Sequence, residues 1–279
     1  MLDAGLVTAP YIMFLDADDE LERDACEFLL SEIVKGDADV VGGYYSEFGE
    51  DGRVISEISD KFIKAREGDY SFTEGLAAYE PIADPFWCKI FKMEIVNKYN
   101  VRFGAKHTGG DTVFLVRYLI HCKNARYIKK RVYRYVMREN SLSHAKSKNY
   151  FLRVPDCYDT IYEDLQKAGQ LEFFNRHMNA DHFLRLYSVT PNFSAEDTRE
   201  VLKRWWELLK YTAKNNLVCH SPAVRVIVRD AAEDDFESAV YHMSEFRALE
   251  DERRAQLDDI FNSKTWKLAQ RVSRLVKRK

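Results

Sequence analysis

Three carboxylates, Asp16, Asp18 and Asp19, stand directly behind the apolar run Tyr11-Ile12-Met13-Phe14-Leu15. A run of aromatic and branched apolar residues reads as a strand buried on both faces. In open α/β sheets the carboxyl ends of such strands are where ligands bind. Carboxylates this close repel one another unless a cation or a set of N–H donors neutralises them. Closely spaced Asp oxygens are hard ligands suited to Mg²⁺ or Mn²⁺, which in turn hold phosphates. One reading is therefore a divalent-metal site for a phosphorylated or nucleotide substrate. The other is an acidic turn that caps a helix starting near Leu21, because Asp favours helix starts.

The elements that would position these residues follow from periodicity. Leu21 to Lys35 has helical apolar spacing and ends at Gly36-Asp37. Asp39 to Phe48 and Arg53 to Ile58 read as strands joined by the hairpin turn Gly49-Glu50-Asp51-Gly52. Ser71 to Tyr79 reads as a short helix, Lys92 to Tyr99 and Asp111 to Cys122 as two more, and Arg126 to Met137 as extended chain. Beyond Tyr150 the pattern is helical: Tyr150 to Val189, Ser194 to Asn215 and Pro222 to Gln256. The expected organisation is α/β over residues 1–145, a helical region over 146–262 and a basic tail over 263–279. Parallel pairing is expected to dominate the sheet.

Several ordered segments carry a family resemblance: Asp3-Ala4-Gly5-Leu6, Asp16-Ala17-Asp18-Asp19-Glu20-Leu21, Trp87-Cys88-Lys89-Ile90-Phe91, Gly110-Asp111-Thr112-Val113-Phe114 and Asn140-Ser141-Leu142-Ser143. Together they resemble the middle of a family 2 glycosyltransferase of the GT-A fold, of the bacterial surface-polysaccharide type. The resemblance implies a partial, Rossmann-like GT-A mixed sheet with flanking helices, followed by a helical C-terminal region. It also implies a sugar transferred, with inversion, from a nucleotide-sugar donor to a glycan or lipid-linked acceptor.

It further assigns roles. Asp18 is the expected ligand of Mn²⁺ or Mg²⁺, with Asp16 shared between metal and ribose. Asp111 matches the Asp of an E-D-T-x-F motif and is the expected general base, although Gly110 replaces the acid before it. At a helix start, Asp111 also fits a cap. Trp87 and Lys89 resemble a W-N-K segment lining the sugar and acceptor pocket, with Cys88 in place of Asn. His144 is the expected nitrogen ligand to the metal. Family members carry a strand-rich nucleotide-binding half ahead of the D-x-D strand, roughly 60–90 residues for two βα units. Either the true start lies upstream of Met1 or the protein is truncated, and these residues alone are expected to grip a nucleotide weakly. A non-catalytic remnant or partner subunit is the alternative function. A haloacid-dehalogenase-type phosphatase also places D-x-D after a buried strand, but it wants Thr or Val where this chain has Glu20.

Composition bounds the rest. At 279 residues, 46 % hydrophobic and 13 % aromatic, the chain has ample material for a core. Five dispersed cysteines without a C-x-x-C pair fit reduced thiols and not a disulfide framework or a zinc site. Residues 263–279 hold seven basic side chains and no acid, so the overall −3 leaves −10 on the body. An acidic body argues against nucleic-acid binding. The tail places Leu268, Val272, Leu275 and Val276 on one helical side among Lys and Arg, a basic amphipathic pattern suited to an anionic membrane surface. The expected location is cytoplasmic, peripheral at the inner face of the membrane.

Overall fold

The sheet is organised by two long strands. β3 (Val40–Gly49) and β7 (Asn124–Met137) are rich in Val and Tyr, residues that pack well on a pleated surface, and they pair in parallel. The register between them shifts on either side of Tyr44. Beside the shift a Cβ on Gly43 would meet the Lys130 carbonyl oxygen at 2.6 Å and Val132 Cγ1 at 2.8 Å. Only glycine allows the backbones to approach this closely.

The computed structural model describes residues 6–36, 38–57, 67–72, 85–104, 109–138, 147–177 and 180–276. The other strands are β1 (Tyr11–Met13), β2 (Glu20–Leu21), β4 (Val54–Ser56), β5 (Gly68–Ser71) and β6 (Lys89–Lys92). The order is β1-β6-β3-β7-β2, with β4 on β3 and β5 on β7. Every described pairing except β3 with β7 is antiparallel, so the expected parallel dominance does not hold. The mixed, helix-flanked sheet does.

The strand at Tyr11 also differs from expectation. It is three half-buried residues at the end of the strand order, and Leu15 is 52 % exposed. Tyr11 and Met13 pack against the core that contains Leu29 and Val41, and Phe14, just beyond the strand, enters a separate phenylalanine cluster. Helix α1 (Ala25–Gly36) begins four residues later than its periodicity indicated, because Leu21 is drawn into β2 opposite Tyr133. The acidic turn is therefore not the cap of α1.

Helices α2 (Met93–Lys98), α3 (Gly110–Leu119), α4 (Lys148–Lys167) and α5 (Leu171–His177) complete the first of two compact units, Met1–Met178. Ser71 ends β5, and the rest of the helix expected from Ser71 to Tyr79 lies outside the described residues, save Phe72. Where strand character ends near 145, the unit runs on through α4 and α5. Its core under α1 joins Leu29 and Ile33 to Val41, Tyr45, Ile90, Val132 and Tyr133. Asp39 knots the sheet together: its carboxylate accepts from Lys92 Nζ (3.1 Å) and the Lys123 N–H (2.7 Å), and its carbonyl accepts from the Tyr118 hydroxyl (2.7 Å).

The second unit, Asn179–Lys279, contains α6 (Asp181–Val189), α7 (Ala195–Lys214), α8 (Pro222–Ala232), α9 (Phe236–Asn262) and α10 (Lys264–Val276). The long helical pattern from Pro222 splits at Asp234, whose φ is +56°. Ser194 and Asp197 form a capping box on α7. Buried Arg247 donates to the carbonyls of Tyr187 and Thr190, closing the end of α6. Gly43→Ala forces β3 and β7 apart and should cost about 1–3 kcal/mol of stability, an overpacking penalty measurable as a lower urea midpoint. Wild-type stability in that variant would show that the approach is slack.

Candidate functional site

The acidic turn is held by a buried tyrosine. Tyr133, in the middle of β7, accepts from the Asp16 backbone N–H (3.1 Å) and donates to Asp19 Oδ2 (2.8 Å). Burial pushes its hydroxyl far above the usual tyrosine range, so it stays protonated and able to donate. The Val136 N–H donates to Asp19 Oδ1 (2.8 Å), and the Asp19 N–H closes the turn on the Asp16 carbonyl (3.2 Å). Asp19 is thus the anchor of the turn. Asp16 and Asp18, the residues singled out from the sequence, are left open to solvent.

A second cluster brings in Asp111. The Phe14 ring contacts Phe86 (4.9 Å), Phe103 (5.4 Å) and Phe114 (5.2 Å). Asp16 lies two residues beyond Phe14, and Asp111 lies one helical turn before Phe114 in α3. Desolvation, then the carboxylates of Asp19, Asp18 and Asp111, raise the Asp16 carboxyl above its ordinary value. Asp111 therefore lies within electrostatic reach of Asp16. Asp19 is also raised, by burial, against the lowering effect of its hydrogen bonds from Val136 and Tyr133.

The start of α3 depends on Gly109. Its φ of +73° is left-handed, and a Cβ there would lie 2.6 Å from Cys157 Sγ. The Cys157 thiol donates to the Gly109 carbonyl at 3.3 Å. Asp111 occupies the first turn of α3, where a carboxylate gains from the helix dipole.

Trp87 lies half-buried against Tyr133 (4.1 Å between ring centres), Tyr45 (4.8 Å) and Tyr135 (5.8 Å, parallel). Lys89 is buried, and its amine donates to the Pro85 carbonyl. His144 lies outside the described residues. Next to Asp18 a cavity of about 330 Å³ is lined by Glu20, Glu50, Arg134 and Arg138. Arg134 pairs with Glu20 (3.2 Å) and stacks on Phe48, while Arg138 faces Glu50 at 3.8 Å. Among the described residues no three His, Cys, Asp or Glu side chains converge as a metal cage. Asp16 and Asp18 offer two hard carboxylate ligands, which suits a cation that keeps other ligands from water or phosphate. Sequence reasoning did not identify the anchoring role of Asp19 or the close contact at Gly109. The third acid of the D-x-D-D run was the available signal for Asp19.

Residues 4–99 match the family described as glycosyl transferase family 2. Over this segment, about a third of its length, the chain is similar to that family. Over 166 residues the chain is 27 % identical to the poly(ribitol-phosphate) beta-N-acetylglucosaminyltransferase TarP of Staphylococcus aureus, covering 56 % of this chain and 47 % of TarP. It is 25 % identical over 183 residues to the putative glycosyltransferase EpsH of Bacillus subtilis, covering 64 % and 52 %. The chain thus spans about half the length of these curated relatives. Residues 1–349 of S. aureus TarS, solved with UDP-GlcNAc, superpose with a TM-score of 0.62 at 15 % identity, covering 88 % of this chain and 70 % of that one. At that identity the likeness shows a common fold.

A carboxyl raised in the folded state favours folding only while protonated. The contribution is present below the ordinary carboxylate value and lost as pH rises through the folded one. In metal-free buffer, Asp16→Asn should therefore raise the melting temperature at pH 7. The gain should shrink as pH falls through the carboxylate range. A gain that stayed constant across that range would show that Asp16 bears no electrostatic cost.

Proposed function

We propose that this protein transfers a sugar from a nucleotide-sugar donor to a glycan acceptor, lipid-linked, in surface polysaccharide synthesis. The observation that supports the reading is the electrostatic proximity of Asp111 and Asp18 to Asp16 beside the phenylalanine cluster. A transfer of this kind needs a base for the acceptor hydroxyl, charge stabilisation of the departing diphosphate, and fixed placement of the sugar. Asp111, held in the first turn of α3, is the base that takes the hydroxyl proton in an inverting reaction. Asp18 and Asp16 would hold Mn²⁺ or Mg²⁺. When bound, that ion neutralises the diphosphate. The open face of Asp16 also meets the ribose. Trp87, braced by three tyrosines, forms a wall of the sugar pocket, and Lys89 holds the Pro85 backbone that borders it. The names of TarP and EpsH, and the UDP-GlcNAc bound to TarS, support this substrate class.

Among the described residues no helix is long and apolar enough to cross a membrane. Basic α10 would attach the protein peripherally at the cytoplasmic face of the membrane, where lipid-linked acceptors lie. Trp266 and Leu268 of α10 are exposed, and Ser263 caps its first turn by accepting from the Trp266 N–H (3.2 Å).

Asp111→Asn should leave donor binding intact and lower transfer by on the order of 10²–10⁴, the usual share of a general base. Full turnover in this variant would remove Asp111 from the chemistry. Calorimetry should show Mn²⁺ binding that Asp18→Ala weakens strongly, and equal affinity in both proteins would count against the metal role. Vesicles rich in anionic lipid should sediment the chain with roughly 1 kcal/mol from each basic residue near the surface, and salt should release it. Deleting residues 264–279 should abolish that sedimentation; its persistence would place membrane contact elsewhere.

A further inference from the structure

The second unit contains a cavity of about 640 Å³ between α6, the start of α8 and the middle of α9. That is within the roughly 300–1,000 Å³ common for small-molecule sites. None of the residues assigned to sugar transfer lines it. Its floor is apolar, built by Leu186, Val189, Pro222, Phe246 and Leu249. Its rim carries Arg185, His220 and Arg253, with Glu250. Glu250 is bound to Arg253 at 2.6 Å, so those two charges largely offset each other. Arg185 makes no ion pair or hydrogen bond through its side chain among the described residues. At the amino end of α8, Ser221 accepts from the Val224 N–H and its own N–H donates to Asp181 Oδ1 (2.9 Å), so that end is already capped and, among the described residues, Arg185 is the unpaired charge of the rim.

The floor does not stop at the cavity. Phe246, Leu249, Arg253, Leu257 and Ile260 follow one another at spacings of three or four along α9, so they share one stripe. Leu249 is 59 % exposed, and Leu257 and Ile260 are also open to solvent. This stripe leads towards α10, the basic amphipathic element. An apolar channel with a cationic rim, continuous with such a helix, is complementary to a long apolar chain ending in an anionic group.

We propose that this cavity binds the phosphate head and first chain segment of a lipid phosphate, its head on Arg185 beside His220 and its chain along the α9 stripe. The Arg185 guanidinium offers several N–H donors in a planar fork, which matches the oxygens of a phosphate. This site is separate from the one assigned to donor and base, and the proposal does not rest on that assignment.

The test titrates the full chain with dodecyl phosphate, below its micelle concentration, by isothermal calorimetry. Inorganic phosphate and dodecyl maltoside serve as parallel titrants. Dodecyl phosphate should bind one to one, with the other two at least about tenfold weaker, the loss that one charge-assisted contact represents. Leu249→Glu and Arg185→Glu, both at exposed positions, should each weaken dodecyl phosphate by a similar factor while circular dichroism remains unchanged. Asp111→Asn should leave the binding as it is, which separates this site from sugar transfer. Equal binding of dodecyl maltoside would overturn the phosphate assignment. Undiminished binding in both variants would overturn the cavity as the site. Loss of binding on deleting residues 264–279, with none in Leu249→Glu, would overturn it too, by placing the lipid on α10.

Discussion

One buried hydroxyl fixes the geometry on which the candidate site depends. The Tyr133 oxygen accepts from Asp16 and donates to Asp19, so a single side chain on β7 sets both ends of the acidic turn. The turn cannot move without breaking bonds inside the core, where an unpaired hydroxyl or carboxylate is costly. Tyr133 is in turn held by Trp87 stacked on its ring and by its pairing with Leu21 in β2 and Tyr45 in β3. The exposed carboxylates of the turn are thereby tied to the sheet.

That rigidity has an electrostatic cost. Asp16 is pressed against Asp19, Asp18 and Asp111 and is raised for that reason as well as by desolvation. Repulsion of this kind is stored where function needs a cation or phosphate-bearing ligand to relieve it, and stability is lower for it. The phenylalanine cluster around Phe14 is the counterweight. Apolar contacts from β1, the Phe86 turn, the Phe103 loop and α3 hold the two acidic segments together against their charges. The mixed sheet agrees with this arrangement, and the helical unit has a separate cavity of different chemistry.

Much of this was legible in the residues, and the misses have physical causes. The D-x-D-D run, the β3–β4 hairpin, α2, α3 and the extended β7 are local patterns, and local patterns survive folding. The parallel dominance expected of the sheet failed because pairing direction is a long-range property that periodicity does not encode. The start of α1 was misplaced because Leu21 fits either a helix face or a strand, and Tyr133, 112 residues away, decides between them. The long helical stretches were found as helix but not divided, since residues such as Asp234 enter the left-handed region without announcing it in hydropathy. The proximity of Asp111 to Asp16 was expected from family resemblance, and its cause, four phenylalanines meeting in space, was not visible in any one segment.

The packing of Cys157 against Gly109 has a consequence for how this protein can diverge. The thiol fills the space that a side chain at 109 would need, and it also hydrogen-bonds the carbonyl there. The two positions are therefore linked in inheritance. A lineage that gains any side chain at 109 has to shrink 157 or shift the start of α3. A smaller residue at 157 leaves 109 uncrowded, but any side chain at 109 still meets the left-handed φ of +73°, so the constraint falls mainly on the glycine.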